Sequence, residues 1–543
     1  MKRIFSFLFL AIVVHVTVTS QVQIGNWREH LSYKNGISLC KAGSKIYVAT
    51  FPSLFFLNTA DNSIEKVTKV EGLSDLGINV VKYSPVHNTV ILGYDNGNID
   101  LIVNNEIINI PDVKRSFIQG DKSINEILID GEIAYLSTGF GILAINIAKQ
   151  EIKETFILGP GATFIHVNEC CIRNDTIYAA TKEGIFIGDT RTNLVDFQNW
   201  SKFSQLPAGI YNTIVNFNDV IITNFEFPDG WEKDTIYTYN SNKWEKVPIG
   251  NNYRNTDIVD LNVSDDSTLL ATYAFGGEVI DVNLNSVLNI STYGGSNLSP
   301  QLTELIQVQN EYWMSDKRTA LAHRTASNSF EVILPSGPHH SNAWSMDYSG
   351  GNLWMGTGAL TRNMKFSYEN KGIARLSDNQ WSSFYGGASF DSLRALHAVV
   401  IDPDDANHVF AASYGGGILE FKDNKIVKIY NETNSTLEAH PDFRLIAVGG
   451  IALDKSNTLW MTNSFASNYP LSAKDVDNNW YGYSLNNIQT VGEKTIKDIV
   501  IDKNGNKWIA AYLRGLLVFN ENGTLSNQSD DLFKKLTTGE NNG

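Results

Sequence analysis

The chain has 543 residues, with 58 Asp or Glu against 43 Lys or Arg, for a formal net charge of −15. That length exceeds one compact core, and the charge argues against nonspecific binding to nucleic acid or to an anionic membrane surface. Aromatic residues reach 11% and prolines number only 13. Asn, Gly and Asp cluster about every ten residues, the texture of short strands and tight turns. With no sustained 3.6-residue apolar period, the expected fold is all-β.

In chain order, Lys2 and Arg3 precede an apolar run that starts at Ile4 and ends on Val18-Thr19-Ser20. This reads as a signal peptide over residues 1–20, with the mature chain starting at Gln21, so export is expected. The run is shorter than the roughly 20 residues a membrane span needs. No cysteine follows the cleavage site, and no later stretch is long and apolar enough to cross a bilayer. The three cysteines are Cys40, Cys170 and Cys171. Cys170 and Cys171 are adjacent on an expected strand and point to opposite faces. No CxxC or HxxxH spacing accompanies them, so buried free thiols are expected and no metal or cofactor is.

A hairpin then recurs eleven times. It begins with KIYVATFPSLFFLN at Lys45, continues through EIAYLSTGFGILAIN at Glu132 and a degenerate copy at Asp219, and ends with NKWIAAYLRGLLVFN at Asn506. Successive starts lie roughly 40 to 56 residues apart, a spacing typical of solenoids and propellers. One whole unit, Ala395 to Asn431, holds four strand candidates separated by PDDAN, GGG and KDN, turn residues that tolerate the positive φ of tight hairpins. Four antiparallel strands make one propeller blade, and blades must stack around an axis to bury their faces.

Eleven blades exceed what usually closes one ring. Trp354, Trp460 and Trp508 recur on the second strand of the last four copies only, and the turn-rich PSGPHHSNAW from Pro335 to Trp344 suits a boundary. The expected architecture is therefore tandem β-propellers of four-stranded antiparallel blades: seven blades over residues 21–336, then about four over 337–543, an incomplete second ring. FKKLTTGENNG at the C-terminus reads as a loop leading toward a further blade, so the natural product is expected to continue. Trp27 in GNWREH matches outer-strand Trp residues in QNWSKF, SNKWEKV, NQWSSF and NNWYGYS, and is expected on a fourth strand that helps close a ring.

No specific catalytic constellation is present, so the expectation is a protein that is not an enzyme. The acidic pairs Asp265-Asp266, Asp404-Asp405 and Asp530-Asp531 fall in expected turns. Asp502 to Asn506 lacks the spacing of an EF-hand, Gly415-Gly416-Gly417 precedes no helix, and His339-His340 reads as a surface loop at the boundary. Loops entering each blade's first strand carry cations and aromatics: Arg394 and His397, His440 and Arg444, Lys494 and Lys497. With Tyr414 as a stacking platform, these are candidate ligand-binding residues for an anionic glycan.

The opening segment IGNWREHLSYKNG, Ile24 to Gly36, followed by tandem blades with LWMGT-like second strands, resembles the PorZ family over essentially the whole mature chain. The blade motif is shared with many two-component-regulator propellers. The resemblance implies a non-catalytic accessory of the type IX secretion system of Bacteroidota, peripheral at the outer-membrane surface. It further implies anionic lipopolysaccharide as ligand, the sortase PorU with PorV and PorQ as partners, and two seven-bladed propellers followed by a sorting β-sandwich that this sequence lacks. Two other readings stand beside it: the periplasmic glycan-sensing region of a hybrid two-component regulator, and a propeller glycan hydrolase or lyase.

Overall fold

The computed structural model describes residues 27–227, 234–247, 258–264, 268–294, 299–358, 360–485, 495–513 and 515–536. The expected signal peptide, Asp265-Asp266 and Lys494 lie outside the described residues. The described chain forms eleven four-stranded antiparallel sheets, each in simple meander order. We number these blades in chain order. Their first strands are Gly36–Ala42, Ile78–Ser84, Ile124–Asp130, Val167–Arg173, Ile214–Phe217, Ile258–Val263, Leu302–Val308, Ser345–Ser349, Leu396–Asp402, Ala447–Leu453 and Ile496–Ile501. All-β tandem propellers are thus the fold. No helix among the described residues is long and apolar enough to cross a membrane.

Each blade puts apolar side chains on both faces of its middle strands. In blade 1, Tyr47 and Ala49 pack toward blade 2, whereas Ile46 and Val48 pack toward blade 7. The first strand of blade 1 packs against three strands of blade 7, so the first seven sheets close a ring. Blades 8 to 11 pack in succession, each first strand against the next.

The recurrent Trp has a local cause. In blades 10 and 11 a turn aspartate accepts backbone N–H groups and also the indole N–H six residues on: Trp460 to Asp454 at 2.8 Å and Trp508 to Asp502 at 3.0 Å. In blade 9 the same places hold Asp402 and His408, 2.9 Å apart. Asp502 therefore serves a hairpin turn.

Three expectations are corrected. Residues 27–35 form no strand, and Trp27 is 85% exposed, so it completes no blade; every blade has an outer strand of its own. Phe533 to Leu536, read as part of a loop, belong to the outer strand of blade 11, Leu532–Leu536. His339 and His340 are half-buried at the junction between blades 7 and 8 instead of forming a free surface loop. There the N-terminal segment acts as a strap: Trp381 Nε1 donates to His30 Nδ1 at 3.1 Å, Arg28 donates to Asn379 at 2.7 Å, and the Ser32 hydroxyl donates to the His339 carbonyl at 2.9 Å. The His339 ring stacks on Tyr385, and burial together with Lys34 and His340 pushes its pKa down to about 3.

Cys40, Cys170 and Cys171 are free and buried, as expected. Burial raises all three thiols, Cys170 to about 12.

Candidate functional site

Blade 8 departs from the pattern between its second and third strands, Asn352–Gly356 and Ile373–Ser377. In most other blades this connection is a short turn, such as Phe51 to Ser53 in blade 1, although residues 226–234 intervene in blade 5 and 465–470 in blade 10. Here the chain runs out across one mouth of the blade 8 to 11 arc and is pinned at both sides. Its Met364 and Arg362 carbonyls accept the Tyr414 and Tyr512 hydroxyls, each at 3.0 Å, and its Glu369 carbonyl accepts the Ala395 N–H at 2.6 Å.

That excursion carries Phe366 into the centre of a ring cluster, 5.4 Å from Tyr414, 5.8 Å from Phe443 and 6.3 Å from His440, Phe465 and Tyr368. The Arg394 guanidinium lies 4.8 Å from the Tyr368 ring centroid, a cation–π contact. Tyr368 and Phe443 are 53% and 58% exposed, so both leave apolar surface to solvent. A mouth with a guanidinium beside solvent-facing rings can pair with an anion and stack against a sugar face at once.

The structure sorts the residues expected here. Arg394 and His440 join this cluster; His440 accepts the Asp442 N–H at 3.1 Å, and its ring lies 4.7 Å from Phe443. Arg444 is exposed, and its N–H bonds the His440 carbonyl at 2.9 Å. Lys497 is exposed on the first strand of blade 11. His397 is corrected: it is buried, with its ring nitrogens 3.1 Å from the Ala395 carbonyl and 3.0 Å from the Gly449 carbonyl, so it ties blade 9 to blade 10. Burial lowers its pKa. Tyr414 is corrected too: it is fully buried with its hydroxyl spent on Met364, and no ring face is left for a ligand. Sequence reasoning missed Phe366, Tyr368 and Phe443. The available signal was that GNLWMGTG lacks an immediate third strand.

A second charged constellation fills the channel of the first ring. Most first strands there have a register irregularity near their start, and the residue after it is Ser38, Val80, Glu126, Glu169, Asp260 or Glu304. Bulges re-aim side chains, so four carboxylates reach one level of the channel around Lys82. Lys82 Nζ lies 2.5 Å from Glu304 and 3.2 Å from Glu126. Glu304 also accepts from the Ser38 hydroxyl, the Leu39 N–H and Asn262; Glu169 accepts from Thr213 and, at 2.7 Å, from the Ile214 N–H. Burial, then neighbouring carboxylates, raises the pKa of Glu169 and Asp260; burial likewise raises Glu126. Burial pulls Lys82 down, but Glu126 and Glu304 outweigh it and leave its pKa well above normal. These carboxylates are committed to protein donors, and among the described residues no His, Cys, Asp and Glu group has a metal-binding arrangement.

Residues 46–201 match the family model described as the type IX secretion system PorZ N-terminal β-propeller domain. A solved structure of PorZ, described as an essential bacterial surface component of the type-IX secretion system of Porphyromonas gingivalis, superposes with a TM-score of 0.78 at 21% identity. The match covers 94% of this chain and 68% of that one. Over residues 46–201 the first ring is therefore similar to the PorZ N-terminal propeller. An ancestral GH74 enzyme superposes with a TM-score of 0.62 at 11% identity over 93% of this chain and 77% of its own, a likeness of fold alone. The extracellular domain of a hybrid two-component system from B. thetaiotaomicron aligns at 14% identity over 92% and 70%, with a TM-score of 0.41. Among curated protein sequences, none matches this chain.

Proposed function

We propose that this PorZ-like chain is a non-enzymatic accessory of the type IX attachment complex at the outer-membrane surface, where it binds anionic lipopolysaccharide and presents it to the sortase. In this reading residues 21–336 and 337–543 are its two propeller units, and PorU, PorV and PorQ are its neighbours. The observation that supports it is the mouth of blades 8 to 11, where the Arg394 guanidinium lies against solvent-facing Tyr368 and the exposed Arg444 directly follows solvent-facing Phe443 in the chain. Guanidinium groups pair with carboxylate or phosphate, and the rings take the apolar faces of sugars. The stacking role assigned to Tyr414 passes to Tyr368 and Phe443.

The test is retention of the full chain on immobilised anionic lipopolysaccharide at low and high salt. Arg394→Gln with Arg444→Gln should weaken binding by at least about ten-fold, the scale of lost hydrogen bonds to charged groups, and added salt should weaken the parent. Equal retention of the double variant refutes the site. A parent that ignores the lipopolysaccharide at low salt refutes the reading.

A further inference from the structure

Blades 1 and 7 close the first ring without sharing a strand. Beside the turn that follows Lys41, this seam leaves a cleft of about 430 Å³, within the ordinary small-molecule range. Its aliphatic walls come from Ile46, Leu57 and Ile64 on one side and from Val308 and Ile333 on the other. On the blade 7 side the His323 imidazole lies flat on the Trp313 indole, with ring centroids 3.7 Å apart. His323 Nε2 is 3.0 Å from Glu311 Oε2, and Nδ1 is 3.7 Å from Glu331 Oε2.

The donors and acceptors do not balance. An imidazole offers at most two N–H groups and one positive charge, whereas two ionised carboxylates carry two negative charges and about four acceptor sites each. Two carboxylates therefore leave room for an external cation. Trp313 lines the same cleft, is 4% exposed, and its Nε1 has no hydrogen-bond partner among the described residues. Lys41, exposed, lines the rim. The cleft thus combines surplus acceptors for a cation, an unspent N–H donor, and apolar walls.

We propose that this seam cleft binds a cationic amino sugar, or an amino alcohol of the same chemistry. The ammonium satisfies Glu311 and Glu331, hydroxyl oxygens accept from the donors of the cleft, and carbon-bound faces lie on the aliphatic walls. A plain diamine leaves the donors unused. An acidic sugar sets an anion against two carboxylates, and an N-acetylated sugar lacks the cation.

The experiment uses the full chain and D-glucosamine at neutral pH, followed by saturation-transfer NMR and titration calorimetry. N-acetylglucosamine, glucose and glucuronate serve as comparisons. Glucosamine should bind saturably, and the three others at least about ten-fold more weakly, because each loses hydrogen bonds to a charged group. Glu331→Gln, at an exposed position, should weaken glucosamine by a similar factor. Lys41→Gln should strengthen it by removing a like charge. Absence of saturable glucosamine binding overturns the proposal, as does equal binding of N-acetylglucosamine or indifference to Glu331→Gln.

Discussion

Lys507 shows how blades 10 and 11 are locked together, and its replacement has a calculable cost. The side chain is fully buried, its ammonium is paired with Glu521, and it lies 4.0 Å from the Trp460 ring centroid. Lys507→Met keeps an unbranched chain against the indole but strands the Glu521 carboxylate. Breaking a buried pair from one side costs about 3–5 kcal/mol. The Glu521 side chain is 15% exposed, and partial access to water favours the low end of that range. Loss of the cation–π contact adds about 0.5–2 kcal/mol, while the thioether–indole contact returns about 0.3–1.5 kcal/mol. The expected net loss is about 3 kcal/mol. Urea unfolding followed by tryptophan fluorescence measures it. Lys507→Met with Glu521→Gln should recover about 1–2 kcal/mol of that loss, because no uncompensated charge remains. A single variant within about 0.5 kcal/mol of the parent, or a double variant no more stable than the single, refutes the reasoning.

Three further outcomes follow from the packing. His408 is held between Glu420 and Asp402, and these hydrogen bonds raise its pKa above 6.5 despite burial. Its stabilisation is therefore full below pH 6.5 and is lost as pH rises through the raised value, so parent and His408→Gln should converge in thermal stability on the alkaline side of a pH series. Gly36→Ala places a methyl 2.3 Å from the Ala320 carbonyl across the ring seam and should cost about 1–3 kcal/mol or more, measured by denaturant unfolding. Alkylation without reductant, read by mass spectrometry, should find Cys40, Cys170 and Cys171 unlinked, slow to react while folded and fully reactive once unfolded.

The blades were legible because their information is local: strand-forming residues, turn residues and the Asp to Trp spacing all lie within one hairpin. The candidate site was legible only in part. Arg394, His440 and Arg444 stand where loop position placed them, but His397 and Tyr414 lie on or beside strands whose neighbours cover them. No single-blade pattern shows that the blade 8 excursion lands on Tyr414. Phe366 and Tyr368 were hidden for the same reason. The channel carboxylates stayed unread because Glu126 and Glu304 meet Lys82 from other blades, and a one-residue bulge in most first strands of that ring decides which side chains face inward.

The central claim, an accessory role in type IX attachment exercised through the blade 8 to 11 mouth, is tested most directly by deleting the gene from its host and measuring how much type IX cargo stays on the cell surface. The account predicts that surface attachment falls on deletion and is restored by the parent gene but not by the Arg394→Gln, Arg444→Gln variant. Unchanged attachment after deletion contradicts it.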